Sequence, residues 1–107
     1  MSSDLAARLR SLAHARQTIT YGALAADLGV RVATLTGALE QMMATDTAQG
    51  DPLRAALCEG RFDHGLPARG FFLAAARLGH DVTDPVAFVA AQRSALWQAG
   101  TEARSAS

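Results

Sequence analysis

Residues 17–29, QTITYGALAADLG, decide the fold of this chain. The β-branched Thr18, Ile19 and Thr20 favour a brief strand. Thr20 can also cap a helix that runs to residue 28, and Gly29 is the residue type that most often ends a helix. A strand, a helix and a glycine stop in such quick succession predict the first half of a helix-turn-helix unit.

The residues that follow predict the second helix of this unit. Over residues 32–44, apolar side chains recur at three- and four-residue spacing, at Val32, Leu35, Leu39 and Met42. This spacing turns one side of a helix towards a core. The polar residues 45–52 contain Gly50 and end with Pro52, and we interpret them as the loop that ends the helix.

Further elements are predicted on both sides of the unit. Ser3 or Asp4 can cap a first helix that runs to about residue 15. Residues 53–62 are predicted as a strand that pairs with Ile19, and a glycine- and proline-containing turn follows. Two more helices are expected over residues 71–78 and 85–97, the second capped by Asp84 and stopped by Gly100.

This order of elements is that of a winged helix. We therefore predict a mainly α (α+β) fold, with about five helices around a winged-helix core and a small two- or three-stranded antiparallel sheet. Residues 1–100 are predicted as a single domain and residues 101–107 as a flexible tail.

Composition narrows the class of protein. Of 107 residues, 50% are apolar and 19% charged, which is typical of a globular domain. Ten basic residues, all arginine, balance ten acidic ones, so no net field attracts nucleic acid or an anionic membrane. The single cysteine excludes an internal disulfide, and the three histidines lack the spacing of a zinc site. We expect a cytoplasmic protein with no membrane segment, no metal and no cofactor.

The segments ITYGALA, residues 19–25, and GAL, residues 37–39, resemble the helix-turn-helix part of alkylguanine-DNA alkyltransferases and alkyltransferase-like proteins. The resemblance covers roughly residues 17–72 and implies a winged-helix fold that binds double-stranded DNA. The reactive cysteine of that family lies in a Pro-Cys-His-Arg motif, whereas Cys58 here lies in LCEGR. The family's base-displacing arginine falls on Ala33, with Arg31 two residues earlier. The resemblance thus implies DNA binding without the repair reaction.

A second resemblance covers the segments DPLRAALC, residues 51–58, and GLPARGFF, residues 65–72. They resemble small uncharacterised bacterial winged-helix proteins. The GLPARG turn precedes a helix start, where backbone amides can hold an anion with help from Arg69. The alternative is that its glycines only permit the turn while Phe71 and Phe72 anchor the helix in the core.

The DNA-binding hypothesis uses the second helix of the unit and a wing. Arginines would hold phosphates, and Gln41 would be available for base edges. The candidate residues are Arg31, Thr34, Thr36, Gln41, Arg61 and Arg69.

Two alternatives stay open. A protein-interaction or homodimerisation module without nucleic acid would use the last helix, which carries apolar groups on more than one face, among them Trp97. A one-chain core that Trp97 covers explains the same pattern. The third reading is alkyltransferase-like chemistry at Cys58, although no catalytic residue is predicted.

Overall fold

Within residues 2–106, five helices and two short strands make up the fold. The computed structural model describes the backbone of residues 2–106 and the side chains of residues 3–99. The prediction of a mainly helical chain with about five helices is confirmed. The elements are α1 (Ser2–Ala15), β1 (Ile19–Thr20), α2 (Tyr21–Leu28), α3 (Val32–Gln49), a 3-10 turn (Arg54–Leu57), β2 (Cys58–Glu59), α4 (Arg69–Arg77) and α5 (Pro85–Ala106).

Local signals set several helix ends as predicted. The Thr20 Oγ1 accepts a hydrogen bond from the Ala23 N–H at 3.2 Å and caps α2. Gly29 ends α2 in the left-handed conformation, with φ 68°, which costs glycine nothing. At the start of α5, the Asp84 Oδ1 accepts a hydrogen bond from the Ala87 N–H at 3.1 Å.

The sheet pairs the predicted segments in the opposite direction to the predicted one. Ile19 pairs with Cys58 and Thr20 with Glu59, but the strands are parallel, so the antiparallel prediction is wrong. The two helices α2 and α3 lie between the strands and return the chain to the end where β1 began. A parallel pair needs such a long crossover connection, whereas a hairpin would have given an antiparallel pair.

α3 continues to Gln49, so the prediction of a loop over residues 45–52 is wrong for residues 45–49. Polar residues in this segment are helical, and their side chains form hydrogen bonds with residues of later segments. The Asp46 side chain is buried, and the Thr47 Oγ1 lies 2.8 Å from the His80 Nε2 in a hydrogen bond. Polar side chains therefore tie the end of α3 to the rest of the fold.

Asp46 forms the buried ion pair of this region with Arg54. The Arg54 Nη2 donates to the Asp46 Oδ1 at 2.7 Å, and the Arg54 Nε and backbone N–H donate to the same carboxylate at 3.0–3.1 Å. The Asp46 side chain is 2% exposed and that of Arg54 is 33% exposed. The pair joins α3 to the 3-10 turn that leads into β2.

Further boundaries differ from the predictions, and α4 begins at Arg69 rather than at the predicted residue 71. Of residues 53–62, predicted as one strand, only Cys58–Glu59 is extended and paired, because Arg54–Leu57 forms the 3-10 turn. α5 passes through Gly100, the predicted stop, and reaches Ala106. A glycine inside a helix costs only about 1 kcal/mol relative to alanine, so it need not end one. Ser107, the end of the predicted tail, lies outside the described residues.

One hydrophobic cluster draws side chains from every helix and surrounds the 3-10 turn. Ala55, Ala56 and Leu57 of that turn are almost completely buried. Small residues here let the backbone run through the centre of the fold while helices pack on both sides. Around it lie Leu5, Leu9, Leu24, Leu35, Leu39, Met43, Phe71, Val89 and Leu96.

The described residues contain no single helix that is long and apolar enough to cross a membrane, although the bent pair α2 and α3 together meets the length and composition criteria.

Candidate nucleic-acid interface

α2 and α3 form a sharply bent helix pair. Their axes differ by 99°, and only Gly29, Val30 and Arg31 separate them. The Val30 N–H donates to the Ala25 carbonyl at 3.0 Å and closes the end of α2. A bend near a right angle with a short glycine turn is the geometry of a helix-turn-helix unit.

α3 has an outward face made mostly of small side chains. Ala33, Gly37, Ala44 and Ala48 are exposed along it, with Glu40 beside them. Glu40 and Gln41 are the long side chains exposed on this face.

Arg31 and Thr34 lie at the exposed amino-terminal end of α3. Arg31 is the N-cap residue, and its side chain makes no capping hydrogen bond. Thr34 follows in the first turn and is exposed. Both candidate residues thus lie at the amino-terminal end of α3. The positive end of the helix dipole lies there and favours the binding of phosphate.

Thr36 and Gln41 lie on different flanks of α3. Thr36 is half-buried, donates its hydroxyl to the Ala33 carbonyl at 3.0 Å, and lines a cleft of about 60 Å³. Tyr21 and Gly70 line the same cleft. Gln41 is exposed but borders a groove against α1 on the other flank. The structure therefore brings Thr36 next to the start of α4 and separates Gln41 from it.

Arg69 is the first residue of α4 and is exposed. Because it precedes Gly70, it lies at the edge of the Thr36 cleft. Arg61 is exposed in the loop between β2 and α4. The described residues form no antiparallel hairpin, so these arginines occupy a loop and a helix start rather than the predicted wing of paired strands.

The segment from Gly60 to Ala68, called the 60–68 loop from here on, is held by backbone hydrogen bonds. The Gly60 N–H donates to the Leu66 carbonyl at 2.8 Å, and the Leu66 N–H donates to the Asp63 carbonyl at 2.9 Å. His64 and Gly65 take positive φ values of 53° and 84° to make the turn. A left-handed histidine is uncommon and persists only where its surroundings hold it.

Side chains of α2 and α5 form hydrogen bonds with the backbone of this loop. The Arg93 Nε donates to the Ala56 carbonyl at 2.7 Å, and its Nη2 donates to the Gly65 carbonyl at 2.8 Å. The Tyr21 Oη accepts a hydrogen bond from the Ala68 N–H at 3.1 Å. Hydrogen bonds from a charged donor are about twice as strong as neutral ones, so Arg93 is a strong support.

These contacts favour a structural role for the GLPARG turn over an anion cradle. The Leu66 and Ala68 amides already donate within the protein. Phe71 is buried and meets the Phe72 ring edge-on at 5.1 Å, as expected for residues that anchor a helix.

The sequence analysis missed Phe62, the most exposed large apolar residue among those described. Its side chain is 83% exposed at the tip of the 60–68 loop. The Arg61 guanidinium lies over its ring, 5.3 Å from the centroid, within cation–π range. The prediction of a strand over residues 53–62 gave no indication that Phe62 is exposed.

Of three acidic side chains near this surface, Glu59 is half-buried, whereas Asp63 and Glu40 are exposed. The Glu59 carboxylate accepts a hydrogen bond from the Thr18 hydroxyl at 2.8 Å. The Asp63 carboxylate lies against Gly60, where a β carbon would collide with it. Glu40 is exposed on α3 and opposes phosphate there.

Cys58 has the environment of a structural thiol. It is completely buried, and burial raises its pKa to about 12 although Arg93 lowers it. A nucleophilic cysteine needs a lowered pKa and access to its substrate. Among the described residues, no group of three His, Cys, Asp or Glu side chains could hold a metal ion.

Cys58 should therefore react very slowly with a thiol reagent. At pH 8, its raised pKa leaves about a thousandfold less thiolate than an ordinary cysteine has, and burial blocks the reagent as well. We expect the native protein to react at least about a thousandfold more slowly with dithiobisnitrobenzoate than the same protein in urea. Equal rates in the two states would show that Cys58 is accessible and would reopen the catalytic reading.

No protein-family model, curated protein or solved structure matches this chain. Its function is therefore inferred from its own residues and their geometry.

Proposed function

We propose that this protein is a small winged-helix-like module that binds double-stranded DNA through α3. The observation that carries the proposal is the 99° bend between α2 and α3 across a three-residue glycine turn, which presents α3 as a recognition helix. Arg31 and Thr34 occupy the exposed amino-terminal end of α3, where helix-turn-helix proteins contact DNA.

Arginines on neighbouring elements extend the same surface. Arg69 adjoins the cleft that Thr36 lines, and Arg61 lies in the 60–68 loop, whose end is bonded to Tyr21 of α2. With a net charge of zero, these local arginines have to provide the phosphate contacts, because no overall field assists. Non-specific affinity should accordingly be weak and strongly dependent on salt.

Replacing Arg31 by alanine should weaken binding to a labelled duplex about tenfold at low salt. Losing one phosphate contact should also reduce the slope of log affinity against log salt by about 1. Fluorescence anisotropy over a salt series measures both quantities. Arg77→Ala removes the same charge from an exposed position in the last turn of α4 and serves as the matched control.

Each outcome has a defined meaning. A loss confined to Arg31→Ala supports contact through α3, whereas equal losses in both variants would mean that only overall charge matters. An absence of binding by the parent protein at low salt would overturn the proposal.

The second candidate is a protein-interaction or homodimerisation module. It is favoured by apolar side chains exposed on α4 and α5, Leu73 at 51% and Val86 at 62%. Such residues suit a helical contact without a positive field. If the parent protein does not bind DNA, a protein-interaction module becomes the preferred function.

A further inference from the structure

Phe62 is placed where it contributes little to the stability of the fold. Phenylalanine is usually buried, because removing its side chain from water is strongly favourable. Here the side chain is 83% exposed, more than Val86, Leu73 or Val32. Phe62→Ala should therefore unfold at nearly the same urea concentration as the parent protein.

The loop that carries Phe62 is built to hold it outwards. Backbone hydrogen bonds cross the loop between Gly60 and Leu66, and Arg93 clamps the Gly65 carbonyl from below. These bonds hold the loop backbone before any partner arrives, so binding would lose little backbone entropy there.

The loop also borders the proposed DNA-binding surface. Its last residue, Ala68, donates its N–H to the Tyr21 Oη. Ala68 and Tyr21 line the same cleft as Thr36 and Glu40 of α3. A partner that covers the amino-terminal half of α3 thus reaches the end of the loop at Ala68, on the Thr36 side.

The neighbours of the ring favour nucleic acid over protein as the partner. Arg61, Asp63 and His64, the residues next to Phe62 in the chain, are polar and exposed, so they add no apolar surface beside the ring in sequence. Protein contacts centre on clustered apolar residues from which water is excluded. A single apolar side chain is instead what several DNA-bending proteins insert between base pairs, with basic side chains in the same groove.

We propose that Phe62 inserts as a wedge at a base step of the bound duplex, with Arg61 at the adjacent phosphate. This inference rests on the proposed function and adds to it a second contact point and a distortion of the DNA. Pyrimidine–purine steps, which unstack most easily, are the expected positions.

The test measures binding and unstacking separately. Each duplex carries the fluorescent base 2-aminopurine beside a single TA or CA step. The fluorescence of 2-aminopurine rises when this base is unstacked. Anisotropy of a labelled duplex measures binding. The parent protein should bind and raise the fluorescence. At protein concentrations that restore saturation, Phe62→Ala should bind without raising it, and its affinity should be about fivefold to a hundredfold lower.

Phe62→Trp and Val86→Ala are the controls. Phe62→Trp keeps an aromatic wedge and should retain the fluorescence rise. Val86→Ala removes another exposed apolar side chain, from the first turn of α5, and should leave both readouts unchanged.

The outcomes separate the two proposals. Binding by the parent without any fluorescence rise, or an equal rise with Phe62→Ala, would overturn the wedge and leave DNA binding intact. An absence of binding by the parent would remove the proposed function and the wedge with it. If Phe62→Ala instead reduced self-association on gel filtration without DNA, the ring would be a protein contact and the wedge would be wrong.

Discussion

Raising the pH from 9 to 12 should lower the free energy of unfolding by several kcal/mol. Burial raises the pKa of Cys58 from its ordinary value of 9.0 to about 12, and burial raises that of Tyr21 from 10.0 to about 12. Both groups are neutral when protonated, and the fold favours that neutral form. Their contribution is therefore complete below pH 9 and is lost as the pH rises towards 12.

The size of the effect follows from the two shifts. One pKa unit corresponds to about 1.4 kcal/mol, so Cys58 accounts for up to about 4 kcal/mol and Tyr21 for up to about 3 kcal/mol. Urea unfolding at successive pH values, with reductant present, measures the decline. Cys58→Ala should flatten the curve from pH 9 upwards, and Tyr21→Phe should flatten it from pH 10. A Cys58→Ala curve that ran parallel to that of the parent would show that the thiol is not protected by the fold.

Replacing Arg54 by methionine should lower the free energy of unfolding by about 3–5 kcal/mol. The change leaves the Asp46 carboxylate buried with only a backbone N–H as donor, and an uncompensated buried charge carries this penalty. Because the Arg54 side chain is one-third exposed, we expect a value near the lower limit. This is a large share of the 5–15 kcal/mol that stabilises an ordinary domain.

The double variant Asp46→Leu with Arg54→Met provides the control. Removing both charges leaves no buried carboxylate unpaired, so the double variant should be more stable than Arg54→Met alone. Urea unfolding at pH 7 compares the two. A loss below about 1 kcal/mol in Arg54→Met would mean that Asp46 finds water or another donor.

Elements defined by local signals could be predicted from the sequence. α2 begins at the Thr20 cap and ends at Gly29, and α5 begins after Asp84, as expected. In each case the deciding groups lie within four residues of one another. Short-range steric and hydrogen-bonding preferences are then enough.

Features that depend on distant partners could not be predicted in this way. The end of α3 looked like a loop because Asp46 and Thr47 are polar, yet each meets a partner from a later element, Arg54 and His80. The direction of the strands likewise depends on the path of the intervening helices.

The candidate site shows the same division. The position of Arg31 at the start of α3 follows from helix periodicity. Thr36 and Gln41 lie on different flanks of α3, one beside α4 and the other beside α1. This difference depends on how those helices pack and could not be predicted from the sequence. The exposure of Phe62 depends on the conformation of the 60–68 loop, which is held by a hydrogen bond from Arg93 on α5.

The parallel pairing of β1 with β2 also has a consequence for the order of folding. All of α2 and α3 and the 3-10 turn lie between the two strands, so the strands can meet only after a long stretch of chain has been closed. Closing that loop costs conformational entropy, and the pairing of only two residues per strand compensates for little of it. We therefore expect the helices to pack against one another first and the two-residue sheet to form late in folding.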